Sequence, residues 1–478
     1  MTHEVTYNGM LQERRRSVHA RIVDAMEQVY AGRLTEHVER ISQHAFRGQV
    51  WDKALLHLKA AGEKAIARSA VEEAVGYFDQ AHSVVRQLPR TPENIAVELD
   101  LAFELRNALH PLGEFNRVSE VLNGARKLAE SVEDERRLGR VLSYLVTSHR
   151  VRGECEEALR AGEHAARIGK SLADLSIQVT NNYHVGQTHL QMGANKTGVE
   201  VLRRNVALLR GDLVKQRHGM AGLPAVFSRS LMSWGLAEMG HFDEAISVSD
   251  ESLRIANIVH HDYSQAFAEY SSGYVYLRRG EIERALTRLE HGHGLTRTMN
   301  FRMDLPFAVG YLGYAQVLAG RIEEGIHHIE EGVVASEAVS MTANRSWLLS
   351  LLAESVLLAG KLAQAEQRLN EASHFAGQFG EAGWQAWITF HRAELLAQSG
   401  PESLQQSEQT YREAIALSGQ LGMKPLIARA QLRLAAVLHR EGKKEESGHW
   451  RTEALDTLHA LGLHYWLRQA EKDFAMAD

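Results

Sequence analysis

Gly280-Glu-Ile282-Glu-Arg-Ala285 decides how the chain folds, because the chain keeps returning to its pattern. A glycine is followed two residues later by an apolar residue, and three after that by a small one. Gly240-His-Phe242-Asp-Glu-Ala245, Gly320-Arg-Ile322-Glu-Glu-Gly325 and Gly360-Lys-Leu362-Ala-Gln-Ala365 follow the same rule. From Gly240 to Gly400 these glycines fall every 40 residues. A fixed period of this length marks a solenoid, in which one small unit is stacked repeatedly to bury a continuous core. The expected fold is all-α: a right-handed α-solenoid of antiparallel helix pairs, about 40 residues per repeat.

The composition of the turn follows from this reading. Glycine ends the first helix (A) of each pair, where a left-handed backbone carries no steric penalty only for glycine. The apolar residue two positions on packs back under the turn. Ala245, Ala285 and Ala365 let the second helix (B) approach the first closely. Acidic residues such as Asp243 and Glu283 open helix B, where they complement its dipole.

Outward from there, Gly113-Glu-Phe115, Gly153-Glu-Cys155 and Gly193-Ala-Asn195 keep the interval of 40. The step from Gly193 to Gly240 is 47. Its extra residues belong to Gly211–Pro224, where Arg217-His-Gly-Met-Ala-Gly222-Leu-Pro224 interrupts the helical pattern. Insertions in solenoids map to loops on one face, often the binding face. Trp51-Asp-Lys-Ala54 and Val71-Glu-Glu-Ala74 look like imperfect early copies of the turn. Leu88-Pro-Arg-Thr-Pro92 is the clearest break, with Thr91 placed to cap a helix. The last turn, Gly442-Lys-Lys444-Glu-Glu-Ser447, is polar, as a terminal repeat should be. Residues 35–90 therefore read as irregular helical repeats, 91–442 as the regular array and 443–478 as capping helices. Ahead of them, Leu11 to Met26 reads as a helix with a basic shoulder at Arg14 to Arg16, either a solvated face or a contact for phosphate or an acidic partner.

Composition limits function. Sixty acidic against 54 basic residues give a net charge of −6, without the basic footprint of a nucleic-acid binder. No apolar run approaches the ~18 residues of a membrane span, and the N-terminus lacks the apolar core of a secretory signal. The single cysteine, Cys155, excludes an internal disulfide framework and suits a reducing cytoplasm. It occupies the apolar position of a turn, as a small core residue would.

A 40-residue unit lies between tetratricopeptide repeats, at about 34, and HEAT or armadillo repeats, at about 40–47. Length favours HEAT; the turn chemistry, with Tyr274 and Tyr276 before the glycine and an alanine-anchored second helix, favours lengthened tetratricopeptide-like pairs. Several stretches carry a closer resemblance. They are Thr2-His-Glu-Val-Thr-Tyr-Asn-Gly-Met-Leu-Gln-Glu-Arg-Arg-Arg-Ser-Val-His-Ala-Arg-Ile22, Ala45-Phe-Arg-Gly-Gln-Val-Trp-Asp-Lys-Ala54, Leu202-Arg-Arg-Asn205, Gly222-Leu-Pro224 and Leu421-Gly-Met-Lys-Pro425. With these the chain resembles the C-terminal tetratricopeptide-repeat array of bacterial signal-transduction ATPases of the maltose-regulon-activator type. It is most similar to the array in multidomain proteins that also carry a class III adenylate/guanylate cyclase domain and an AAA-type ATPase. The resemblance implies that 1–34 is the remnant of a winged-helix segment that follows the ATPase, within a longer ancestral reading frame. The residues that would perform cyclase or ATPase chemistry are absent, so neither activity is implied.

Catalytic signatures are likewise missing. There is no phosphate-binding loop, only an echo at Gly193-Ala-Asn-Lys-Thr197, and no dinucleotide fingerprint or zinc helix. Among 25 histidines, chance pairings such as His260-His261-Asp262, His291-Gly-His293 and His327-His328 are expected. No metal, cofactor or enzymatic activity is expected. A partner-binding surface is the better candidate, since successive A helices line the concave face of a solenoid. The A helices carry Tyr144 and His149; Asn181, Asn182 and Tyr183; Arg229 and Trp234; Tyr270 and Tyr274; Tyr311 and Tyr314; Trp347; and Trp384 with Trp387. Aromatic residues and arginine dominate interface hot spots, although aromatics at helical spacing also pack between repeats. Asn182 and Arg229 stand out because a buried amide or guanidinium needs partners, and Arg217 marks the insertion. The expected function is a non-catalytic scaffold or sensor. It would bind a protein segment or regulatory ligand in its groove and report to an ATPase or cyclase; the alternatives are a small-molecule-binding regulatory receptor or a fragment of a parent adenylate cyclase/ATPase.

Overall fold

The computed structural model describes residues 11–475, with side chains through 469. Among the described residues the regular structure is helical throughout, with 23 α-helices and two short 3-10 turns. The chain forms two compact units, Met1–Val141 and Leu142–Asp478. The expected winged-helix remnant falls partly on residues 1–10, outside the described residues, and so does the 476–478 end of the capping segment.

In the first unit lie α1 (Gln12–Val29), α2 (Leu34–Gly48), α3 (Trp51–Ala67), α4 (Val71–Val85), α5 (Pro92–Leu109) and α6 (Phe115–Ser131). The proline-flanked break begins α5 as the sequence predicts, with Pro92 in the first turn and Thr91 Oγ1 accepting from the Asn94 amide at 3.3 Å. From there helix pairs follow one another. The A helices are α7 (Glu135–Val151), α9 (Leu175–Gln191), α11 (Pro224–Glu238), α13 (Asp262–Arg279), α15 (Leu305–Leu318), α17 (Arg345–Leu358), α19 (Ala382–Gln398) and α21 (Lys424–Arg440). Their B partners are α8 (Cys155–Ser171), α10 (Asn195–Leu208), α12 (Phe242–Val259), α14 (Ile282–Thr298), α16 (Ile322–Ala338), α18 (Leu362–Gln378), α20 (Leu404–Gln420) and α22 (Lys444–Ala460), and α23 (His464–Ala475) closes the series. This is the expected α-solenoid of tetratricopeptide-like pairs.

The glycine turn works as its composition suggests. Gly280 caps α13 at φ 84°, its amide donating to Leu277 O at 3.0 Å while the Glu281 amide reaches Tyr276 O at 2.9 Å. A second turn, from a B helix to the next A helix, recurs through most of the array and escaped the sequence reading. Its left-handed residues are Glu133, Ala173, His260, Asn300 and Ser340, then Gly380, Gly422 and Gly462. The non-glycine members sit at φ 48–54°, within the narrow left-handed region that side chains tolerate, whereas Gly153, Gly193, Gly240, Gly280 and Gly320 lie at 77–89°. The wider angle favours glycine more strongly, so the first turn keeps glycine throughout while five of these eight second-turn residues are not glycine.

Between α10 and α11 the insertion forms a 3-10 turn at Gly211–Lys215 and then a loop. The loop is tied to A helices on both sides of it: Tyr144 Oη donates to Gly219 O, and the Leu223 amide donates to Ser264 Oγ at 2.9 Å.

Within the second unit the solenoid curves until distant repeats touch. Val151 O accepts from Thr342 Oγ1 at 3.1 Å and from the Ala343 amide at 3.3 Å. Tyr465 Oη donates to Leu318 O at 3.2 Å. The turn glycines are themselves contact points. A Cβ on Gly193 would lie 2.5 Å from the Gly383 nitrogen, and one on Gly280 would lie 2.6 Å from Tyr465 Cβ.

Candidate binding face inside the superhelix

The A helices meet along an aromatic ladder that the 40-residue register creates. Phe227, Phe267, Phe307, Trp347 and Trp387 each follow the last by 40 residues. Two of the successive pairs in this register are in ring contact. Phe227 and Phe267 centroids are 4.7 Å apart, and Phe307 and Trp347 are 5.4 Å apart and stacked. Trp234, Tyr274, Tyr311 and Trp384 join from one or two turns along their helices, with Trp234–Tyr274 at 5.1 Å, Tyr274–Tyr311 at 4.8 Å, Tyr311–Trp347 at 4.4 Å and Trp347–Trp384 at 6.2 Å. Aromatic pairs at these spacings add to area burial.

Six of the residues singled out from sequence thus converge: Trp234, Tyr270, Tyr274, Tyr311, Trp347 and Trp384. Four of them are buried rather than displayed. Trp347 is 1% exposed, and Tyr270, Tyr274 and Tyr311 are similarly enclosed. Tight curvature brings later A helices across the face, so an open trough is not present at these positions. Trp234, Phe307 and Trp384 remain half-buried. The indole nitrogens of Trp234 and Trp347 are enclosed without a hydrogen-bond partner, on either side of Phe307 and Tyr311. Buried donors are nearly always paired, which makes these two conspicuous.

The other candidates are dispersed. Tyr183 packs on Phe227 at 5.6 Å and extends the ladder toward α9, while Asn182 beside it is half-buried. His149 sits by the Gly153 turn with Nδ1 2.6 Å from Glu154 Oε2. Arg217 Nε donates to Met220 O at 2.9 Å, which folds the insertion on itself. Arg229 was expected in the groove; it is instead buried against its own helix, donating to Ala225 O at 2.9 Å. Burial lowers its pKa, partly offset by Glu251.

Two buried ionic clusters flank the ladder, and sequence reasoning missed both. Trp387 Nε1 donates to Glu238 Oε2 at 3.1 Å across 149 residues, and Glu238 also pairs with Arg278 at 2.7 Å and accepts from Tyr274 Oη. The Arg278 guanidinium lies 4.2 Å from the Trp387 ring centroid. Glu354 pairs with Arg429 at 3.0 Å and lies 3.2 Å from His391 Nε2; Ser350 Oγ is 3.0 Å from His391 Nδ1. Burial alone would raise the Glu354 pKa, but His391 and Arg429 hold it well below the usual carboxylate range. Arg429 in turn covers Trp466 at 3.7 Å. Single acidic residues at helical positions give no sign of such long-range partners.

A third polar contact joins α19 to α17. Glu381 is fully buried; it accepts from the Asn344 amide at 2.7 Å and from Ser346 Oγ. Burial pushes its pKa up to about 7 despite these hydrogen bonds and the Arg150 charge. Cys155 is buried, and its thiol is pushed up by burial. His261 caps α13 through Nδ1, 3.3 Å from the Ser264 amide, and burial together with Arg217 lowers its pKa to about 4. Among the described residues no group of His, Cys, Asp or Glu converges as a metal site would, and no helix is long and apolar enough to cross a membrane.

No protein-family model matches the sequence, and no curated protein matches it. Solved structures resemble it distantly. A Rap protein complexed with competence and sporulation factor is 11% identical, with 85% of this chain and 98% of that one covered at a TM-score of 0.48. Aspartyl phosphate phosphatase F from Bacillus subtilis is 11% identical over 78% of this chain and 97% of that one, at 0.43. The apo form of RapI is 10% identical over 59% and 97%, also at 0.43. Likeness at this distance says nothing about what the present chain binds.

Proposed function

We propose that the chain is a non-catalytic, cytoplasmic receptor module that takes a peptide segment of a partner protein on the inner face of its superhelix. The observation that carries this reading is the set of half-buried rings, Trp234, Phe307 and Trp384, beside the buried ladder. The rings would take apolar side chains of the same segment, as aromatic anchors do in other interfaces. Peptides selected from a displayed library on the full chain should bind at least tenfold more weakly to a Phe307→Ala/Trp384→Ala variant that melts like the parent. Selected peptides that bind both proteins equally would sink the proposal, and so would ATP hydrolysis or cyclase activity by the purified chain.

The signalling context is a finer part of the proposal. Its support is the resemblance of the stretches around Thr2–Ile22, Ala45–Ala54 and Leu421–Pro425 to arrays that serve ATPase and cyclase domains. The DNA upstream tests it: an adjoining or in-frame ATPase or cyclase supports the link, and unrelated neighbours remove it. Enclosure of the inner face favours a second reading, a small regulatory metabolite as ligand. A thermal shift with a metabolite, in the absence of any selected peptide, would prefer that reading.

A further inference from the structure

The proline-marked break between α4 and α5 shapes a separate site in the Met1–Val141 unit. A groove of about 360 Å³ runs between the end of α4, α5 and α6. Its floor is apolar, made by Leu99, Ala102 and Ala125, all buried. Its rim is ionic. Glu98 is only 6% exposed, yet it holds two arginines at the surface: Arg86 Nε donates to Oε1 at 2.9 Å, and Arg90 donates to Oε2. The two arginine side chains are 59% and 52% exposed. Each guanidinium offers five N–H donors in a planar fork, so one shared carboxylate leaves most of them available. Lys127 on the facing wall has no carboxylate partner among the described residues. Against Arg86, Arg90 and Lys127 stand Glu98 and Glu120, so the lining carries one net positive charge, with His82 kept neutral by burial and by Arg86.

One lining residue is a glycine that the helix itself does not favour. Gly124 lies in the middle of α6, where glycine is the least favourable residue short of proline. A Cβ built on it meets nothing within 4 Å. Packing therefore does not require this glycine; a side chain there would stand over the floor.

We propose that this groove binds a small amphipathic carboxylate, its head on Arg86 and Arg90 and its apolar body on the floor beside Gly124. Planar guanidiniums engage carboxylates in bidentate fashion, and a monoanion matches the single net positive charge. A dianionic phosphate would bring a second charge toward Glu98 and Glu120. The volume lies at the small end of the range for ligand sites, roughly 300–1,000 Å³. The proposal concerns a different unit from the peptide site and stands independently of it.

The test is calorimetric titration of the full chain with octanoate and 4-phenylbutyrate, beside octanol, octylamine and inorganic phosphate. Both carboxylates are expected to bind, each at least tenfold tighter than octanol, octylamine or phosphate. Gly124→Leu should weaken them at least tenfold while its melting temperature stays level or rises. Arg90→Gln, which leaves the floor intact, should weaken the carboxylates but not octanol, and this holds the test even if the Gly124 variant folds poorly. Equal binding of octanol or phosphate overturns the proposal. So does unchanged affinity in both variants, or no heat from either carboxylate at about 5 mM.

Discussion

Gly193 and Gly320 hold nearly the same backbone angle, φ 80° and 89°, in different surroundings. A Cβ on Gly320 would meet nothing within 4 Å, whereas one on Gly193 would press on the Gly383 backbone 190 residues away. Gly320→Ala should therefore cost only the added left-handed strain, about 1–2 kcal/mol of stability, and Gly193→Ala should cost roughly 3 kcal/mol or more because a backbone neighbour cannot swing aside. Urea unfolding of both variants measures this; equal losses would mean the remote contact carries no weight. Glu381 makes a second prediction at this scale. Its folded pKa is about 7, against an ordinary 4.5. A carboxyl raised on folding stabilises fully below the unfolded value and loses that contribution as pH rises through the folded one. Stability should fall by roughly 3 kcal/mol between pH 4.5 and about 7 and then level off. Glu381→Gln should flatten that decline in pH-dependent melting curves; a decline of the same size in the variant would assign it to another group.

At the scale of the helix pair, the Glu354–Arg429 contact joins α17 to α21 with both side chains about one-tenth exposed. Removing one partner of a buried pair costs roughly 3–5 kcal/mol, more than its net worth, because the other charge is stranded. Arg429→Met should therefore destabilise more than the Arg429→Met/Glu354→Gln double variant, and a double-mutant cycle by denaturant unfolding reads the coupling. Additive losses would show that His391 alone satisfies Glu354. What the sequence conveyed about these elements follows from how local each signal is. The A-to-B turn was legible because φ near 80° requires glycine at Gly280 and its equivalents, while the B-to-A turn was hidden because Glu133 or Ala173 can hold φ near 50°. Trp347 and Trp384 were legible as A-helix aromatics. Phe227, Phe267 and Phe307 were legible in principle too, by aligning the chain on its own 40-residue register. Arg229 was misplaced because its partner is a carbonyl of its own helix, which no side-chain pattern announces. Glu238 and Glu354 were out of reach, since their partners depend on how far the superhelix curves.

Across the whole second unit, that curvature changes what kind of object the array is. A linear solenoid is held by neighbour contacts alone, so its repeats can open singly. Here Trp387–Glu238, Thr342–Val151 and Tyr465–Leu318 tie repeats that lie 147 to 191 residues apart. Such ties should make distant helices open together, a cooperative unit that native-state hydrogen exchange can see. Amides of α11 and α19 are then expected to share one opening free energy in the parent chain. Trp387→Phe keeps an aromatic ring but removes the donor to the ion-paired Glu238, worth about 1.5–3 kcal/mol, and should let the two helices exchange at separate free energies. A parent protein in which α11 and α19 already open independently would reduce the closure to passive contact. If they open together, a segment seated on Trp234, Phe307 and Trp384 would slow exchange in both helices at once, so occupancy of the inner face would be felt at turns far from the ligand.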